Sequence, residues 1–197
     1  MLGKLARLLT QCLSLIVGGC VADQTATPRT IRVVLLGDEA RMTVLEAIAA
    51  DHRTNTSSNN AHVAMECSMG NSTLLFSTPI AESNDAGSLL DNADCAIIVI
   101  DVAQYNPELF ESCAKLLSKN SSRKIILLFA NTGDLRLDKP NAIELLELAE
   151  LDCREFLNHH GLDGDNAAWF YDSQNVIPAD RPPMGTTLMS LVKHIAK

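Results

Sequence analysis

The 197-residue sequence has no C-x-x-C pair, no apolar run long enough to span a bilayer, and no basic stripe interleaved with aromatics. Each gap excludes a class of function. The six cysteines (Cys12, Cys20, Cys67, Cys95, Cys113 and Cys153) are scattered, with no paired histidine motif beside them, so no zinc or other metal site is expected. Cys95 opens an apolar run and Cys113 and Cys153 fall within helical patterns, as small buried hydrophobes do in a reduced compartment. His159 and His160 adjoin a helix end, where stabilising the last carbonyls accounts for them without a metal. The formal net charge is −8, and the first thirty residues carry +2 (Lys4, Arg7 and Arg29 against Asp23), which leaves −10 for residues 31–197. An acidic body repels a phosphate backbone, so no direct nucleic-acid partner is expected.

The amino terminus, MLGKLARLLTQCLSLIVGGCVA, has two basic residues, no acid before Asp23, and an apolar run of fifteen residues from Leu8 to Ala22. A bilayer span needs about 20, so no membrane span is expected. Three readings fit residues 1–30. Val17-Gly18-Gly19-Cys20 is similar to a lipoprotein cleavage box that would be acylated at Cys20; Lys4 and Arg7 on a leucine-rich, acid-free stretch suit a mitochondrial targeting leader; and Leu5, Leu8, Leu9 and Leu13 could bury one face of a docking helix. Residues 5–22 could contact a membrane or a partner.

From residue 31 to 197 short apolar runs alternate with helical patterns, the mark of one α/β domain. Ile31–Leu36 predicts a strand, Met42–Ala50 a helix and Asp51–Asn60 a polar loop. Ala61–Cys67 and Thr73–Ser77 form a hairpin about Met69-Gly70-Asn71, and Ser83–Asn92 a helix. Cys95–Ile100 is a core strand, followed by a helix capped by Asn106 with Pro107 at its first position, to about Ser118. Lys124–Phe129 is a further core strand, and Asn141 with Glu144 starts a helix to about Asn158 with Ile143, Leu146, Ala149 and Cys153 on its apolar seam. Ala167–Tyr171 is the last strand and Thr186–Ala196 the closing helix.

The segment KIILLFANTGDLRLDKPNAIELLELAELDCREFL, residues 124–157, resembles the guanine-recognition region of elongation factor Tu, a translational GTPase, in which a strand runs into Asn-Lys-x-Asp. Asn131 and Asp134 match that motif, and Thr132 stands at its Lys. The likeness implies an α/β fold with a doubly wound, mostly parallel sheet: a P-loop GTPase-like G domain with one antiparallel hairpin strand. It further implies that Asp134 would accept hydrogen bonds from a guanine edge and that Asn131 would tie the loop to the phosphate loop. Of the family's closing Ser-Ala-Leu only Ser173 is matched. Unaided turn-building accounts for Asn131 and Asp134 equally well.

The phosphate-loop position reads Gly37-Asp38-Glu39-Ala40-Arg41-Met42-Thr43, against the G-x-x-x-x-G-K-[ST] that closes backbone N–H groups on phosphates. Gly37 matches, and Thr43 matches the hydroxyl if one residue is deleted. At the family's Asp-x-x-Gly-His stands Ser77-Thr78-Pro79-Ile80-Ala81, which shares a proline with the family and lacks the Asp, Gly and His. Phosphoryl transfer is accelerated by positioned charge, so no catalytic residue is expected. The expectation is a non-catalytic pseudo-GTPase domain, a structural or assembly subunit among the protein subunits of a larger mitochondrial complex, with no cofactor. The alternative is a guanine-nucleotide-binding protein that holds GTP or GDP through Asn131, Asp134, Thr43 and Ser173 with little hydrolysis.

Overall fold

A computed structural model describes residues 28–54, 56–59, 61–80, 85–119, 123–132, 142–173 and 183–197. The amino-terminal leader or docking helix, Asp134 and the Asn141 cap lie outside the described residues. The strands are β1 (Arg29–Gly37), β2 (Thr56–Ser58), β3 (His62–Met69), β4 (Ser72–Pro79), β5 (Cys95–Asp101), β6 (Lys124–Ala130) and β7 (Ala168–Tyr171). The helices are α1 (Ala40–His52), α2 (Asp85–Asp91), α3 (Pro107–Ser118), α4 (Ala142–His159) and α5 (Leu188–Ile195). They form one sheet in the order β2-β3-β4-β1-β5-β6-β7. Its pairings are parallel from β4 through β7, and only β3 runs against the rest. The doubly wound, mostly parallel sheet with one antiparallel hairpin strand is therefore the observed architecture.

Burial explains why these runs became strands. Residues 95–100 of β5 are all buried, because helices cover both faces of the central strands and neither face can be polar. In β3 the pattern relaxes to alternation, with Val63, Met65 and Cys67 inward and Glu66 exposed. Helices α1 and α5 cover one face through Leu45, Ile48, Leu191 and Val192. Helices α2, α3 and α4 cover the other through Leu90, Phe110, Ala114, Leu146 and Leu157. Asn106 caps α3 as expected, its side chain accepting from the Leu109 amide at 3.1 Å with Pro107 at the first position.

Two expectations are corrected. The stretch 51–60 is more than a loop: α1 continues to His52, Arg53 closes it in the left-handed region (φ 53°), and Thr56–Ser58 adds an edge strand to β3. That strand is held by backbone pairing and by the Ser57 hydroxyl donating to the Ala64 carbonyl at 3.3 Å, and its three exposed polar residues carry no alternation to read. On α4 the buried seam is Leu146, Ala149, Cys153 and Leu157, while Ile143 faces outward at 41% exposure. The seam also takes in a buried ion pair, with Arg154 Nε donating to Glu150 Oε1 at 2.6 Å and Nη1 to the Gly164 carbonyl at 2.6 Å. The guanidinium lies over the Trp169 ring at 5.5 Å. Removing one partner of such a pair costs about 3–5 kcal/mol, so this clamp fixes how the chain leaves α4 for β7.

Candidate functional site: the carboxyl rim of the sheet

After β1 the chain crosses to β2–β4 on one side and later to β5–β7 on the other, so the strand order switches direction at β1. Ligands of such sheets bind beyond the carboxyl ends at that switch. A cleft of about 620 Å³ lies there, lined by residues 38–43, Ile80, Asp101, Gln104 and Asn131.

Its floor is built from β1. Gly37 has φ 102°, and a Cβ on it would stand 2.1 Å from the Val99 carbonyl oxygen, so only glycine lets β1 and β5 close this tightly. The Asp38 amide donates to that same carbonyl at 3.2 Å. Two residues, Asp38 and Glu39, then separate β1 from α1, and Glu39 makes no side-chain cap bond. Arg41, in the first turn, folds back and is 5% exposed. Its Nη1 donates to the Gly37 carbonyl at 2.7 Å and its Nη2 to the Pro79 carbonyl at 3.3 Å, while Nε makes no hydrogen bond. One side chain thus joins the carboxyl ends of β1 and β4. Thr78, next to last in β4, is fully buried and donates its hydroxyl to the Leu35 carbonyl at 3.1 Å.

From there a line of carboxylates crosses the rim. Asp38 Oδ2 accepts from the Asp101 amide at 2.9 Å, and Asp101 Oδ1 accepts from the Ala103 amide at 2.8 Å. Asn131 Nδ2 donates to Asp101 Oδ2 at 2.9 Å. The Asn131 backbone is left-handed (φ 59°), a conformation asparagine tolerates better than most residues, and its amide donates to Asp172 Oδ2 at 2.7 Å. Thr132 donates both its amide, at 3.1 Å, and its hydroxyl to Asp172 Oδ1. Asp172 therefore holds the turn after β6 from the end of β7, and its own amide returns to the Phe129 carbonyl at 3.1 Å.

Of the residues singled out from sequence, Thr43 and Asn131 line the same cleft, with Thr43 exposed on α1. Ser173 follows Asp172 past β7 and is not among the cleft's lining residues; Asp134 lies outside the described residues. Asn131 does not reach the phosphate-loop position directly: its side-chain amide is taken by Asp101, at the end of the intervening strand. Asp101, Asp172 and the inward turn of Arg41 were not anticipated. A signal for the acids was present, since Asp38, Asp101 and Asp172 each follow an apolar strand run directly or after one glycine, where a carboxylate can accept the amides of the next turn.

Among solved structures the chain is similar to the chloroplast translocon components atToc33 and psToc159, described there as GTPases, with a TM-score of 0.61, 14% identity, and coverage of 88% of this chain and 84% of that one. The fold is that of a GTPase G domain. A dimerization-deficient R130A Toc33 from Arabidopsis thaliana matches with TM-score 0.59, 13% identity, and coverage of 85% and 83%. Translation elongation factor SelB from Methanococcus maripaludis, in complex with the GTP analogue GppNHp, matches with TM-score 0.56 and 14% identity. That match takes in 74% of this chain and only 30% of SelB. At these identities the likeness is one of fold, resembling translational GTPases among others. No family model and no curated protein matches the sequence.

Among the described residues no group of three or more His, Cys, Asp or Glu is placed to hold a metal ion, and no helix is long and apolar enough to cross a membrane. The cysteines at 67, 95, 113 and 153 are buried, and burial pushes Cys95 up to about 12, far from a reactive thiolate at neutral pH.

Proposed function

We propose that this chain is a non-catalytic G domain, a structural or assembly subunit of a larger mitochondrial complex. The observation that carries the proposal is Arg41. In a working phosphate loop the cation and the backbone N–H groups face the nucleotide, whereas here the guanidinium is buried against the Gly37 and Pro79 carbonyls. The turn before α1 has only Asp38 and Glu39 to offer, and both are acids. A polyphosphate a few ångströms from each would meet a repulsion of about 1 kcal/mol per charge pair in water, and more where partly buried. The groups at this rim do not fit a magnesium-bound nucleotide.

Fold and function separate readily in such domains, because core strands carry stability and loops carry chemistry. The mitochondrial assignment rests on residues 1–30, whose basic and leucine-rich pattern suits a leader, together with cysteines buried in the interior as small hydrophobes. A second reading is favoured by the cleft itself: with Asn131 and Thr43 on its wall, it has the size of a small-ligand site and could retain a guanine nucleotide without turning it over. The two readings part on binding. We expect GDP and GTP to bind no more tightly than about 1 mM, roughly 4 kcal/mol at the 1 M standard state. Ligand at 100 times its dissociation constant stabilises a fold by about 2.7 kcal/mol, so micromolar binding would raise the melting temperature visibly at millimolar nucleotide. Melting with GTP, GDP, ATP and guanosine, with and without magnesium, should show no guanine-specific rise. A rise that Asp134→Ala abolishes would instead establish the nucleotide-binding reading.

A further inference from the structure

Helix α4 is apolar on two sides. Leu146, Ala149, Cys153 and Leu157 are buried in the core, yet Leu145, Leu148 and Leu151 on the opposite side are 64%, 56% and 51% exposed. Spacing of three places those leucines along one outward stripe. Three large side chains left in water on consecutive turns are a contact surface in want of an occupant, since scattered single leucines need no explanation but an aligned set does.

The surroundings of the stripe state what the occupant must carry. One turn further on stand Asp152 and Glu155, which with Glu111 of α3, Phe156 and His159 line a cavity of about 210 Å³ between α3 and α4. Glu144 and Glu155 are exposed beside the leucines. The surface is therefore a leucine stripe running into an acidic notch, and it fits a segment with leucines on one face and a cation within a turn of them. The chain contains one. Residues 4–13, KLARLLTQCL, carry Leu5, Leu8, Leu9 and Leu13 at helical spacing, and Lys4 and Arg7 are the only charged residues before Asp23. The segment carries two cations and no acid, opposite in sign to the notch. β1 begins at Arg29, and the fifteen residues from 14 to 28 can extend by about 50 Å, against a diameter of about 30 Å for a small domain.

We propose that residues 4–13 dock as an amphipathic helix on the Leu145–Leu148–Leu151 stripe of α4, with Lys4 and Arg7 directed to the notch of Glu111, Asp152 and Glu155. The docking belongs to the chain that still carries its amino terminus. Removal of the segment on import would uncover the same leucines.

Hydrogen exchange of the full chain, read by mass spectrometry on peptides covering residues 2–13 and 143–155, tests this. Amides of residues 4–13 should exchange at least about tenfold more slowly than an unstructured segment, as expected for a docked helix. The protection should disappear in the triple variant Leu145→Ser, Leu148→Ser, Leu151→Ser, whose changes lie on the surface and leave the melting temperature near wild type. It should also weaken in Lys4→Glu with Arg7→Glu, with the melting temperature of that variant measured alongside and expected near wild type. A photoreactive residue at position 148 should cross-link to residues 4–13 of the same molecule. Unprotected amides at 4–13 in the wild type would overturn the proposal, as would protection indifferent to the leucine variant. Protection lost on dilution would assign the stripe to a second copy, and a cross-link to another protein would assign it to a partner; either result overturns docking of the chain's own segment.

Discussion

The two ends of the carboxyl rim solve one problem with opposite charges. At the β1 end, the buried carbonyls of Gly37 and Pro79 are gathered by a buried cation, Arg41. At the β6–β7 end, amides of Asn131 and Thr132 are gathered by an anion, Asp172. In a nucleotide-dependent domain such loops wait for phosphate and base to satisfy them. Here each end is satisfied by a residue of its own chain, so both loops hold their shape with nothing bound. The difference lies in burial, since Arg41 is enclosed and Asp172 is partly open to solvent. A polar group sealed from water has no replacement partner when its bond is lost, and one near water does. The β1 end should therefore be the more fragile.

Arg41→Ala should show the largest loss, about 3 kcal/mol in urea unfolding, because it strands two carbonyls and opens a void at the junction of β1 and β4. Arg41→Met fills the space without a charge to desolvate and should lose less than half as much. Asp172→Ala should cost about 2 kcal/mol, with Asp172→Asn recovering part of it, since water can reach the amides it leaves. If Asp172→Ala proves the more damaging of the two alanine variants, the burial argument fails. Neither variant should acquire nucleotide binding, as the Asp38 and Glu39 charges remain.

Much of this rim lay beyond sequence reasoning for a definite reason. The strands IRVVLL, CAIIVI and KIILLF declared themselves because burial on both faces demands unbroken apolar runs. The same holds for the cap at Asn106, where side chain and first turn are neighbours in sequence. Asp172, by contrast, acts on Asn131 across 41 positions, and Arg41 reaches Pro79 across 38. Local pattern has no term for such pairings. Arg41 was legible as a charge near a phosphate position but not as one turned inward, since its direction depends on where β4 ends. The phase of α4 was ambiguous for a related reason: with leucines on both sides, the sequence alone could not tell Ile143 from Leu157 as the end of the seam. The edge strand β2 left no trace because nothing on it is buried.

Asn131 lies between the two ends and sharpens the comparison at smaller scale. Its left-handed backbone costs most residues about 1 kcal/mol, and its side chain returns one hydrogen bond to Asp101. Asn131→Ala loses both advantages and should fall by about 1–2 kcal/mol, whereas Asn131→Gly relieves the backbone and should stay within about 0.5 kcal/mol of wild type. Equal losses in the two variants would mean that the Asp101 bond, and not the turn, sets the residue.

The smallest expected effect lies away from the rim and serves as its control. His194 on α5 packs beside the Phe170 ring at 5.2 Å, and its Nε2 is buried without a hydrogen-bond partner. Burial, then the charges of Lys124 and Lys197, hold its pKa below the ordinary histidine value. A histidine depressed in the folded state takes up its proton more readily when unfolded. Its neutral form therefore supports the fold above the unfolded-state pKa of about 6.5, and that support is lost progressively as pH falls through this value towards the lower folded one. Melting at pH 7.5 and at pH 5.5 should show a loss at the acid end that shrinks in His194→Gln. The rim variants should keep the full loss, because no rim group contributes to the titration of His194. An acid loss unchanged by His194→Gln would place its origin in other groups and remove this residue as the control.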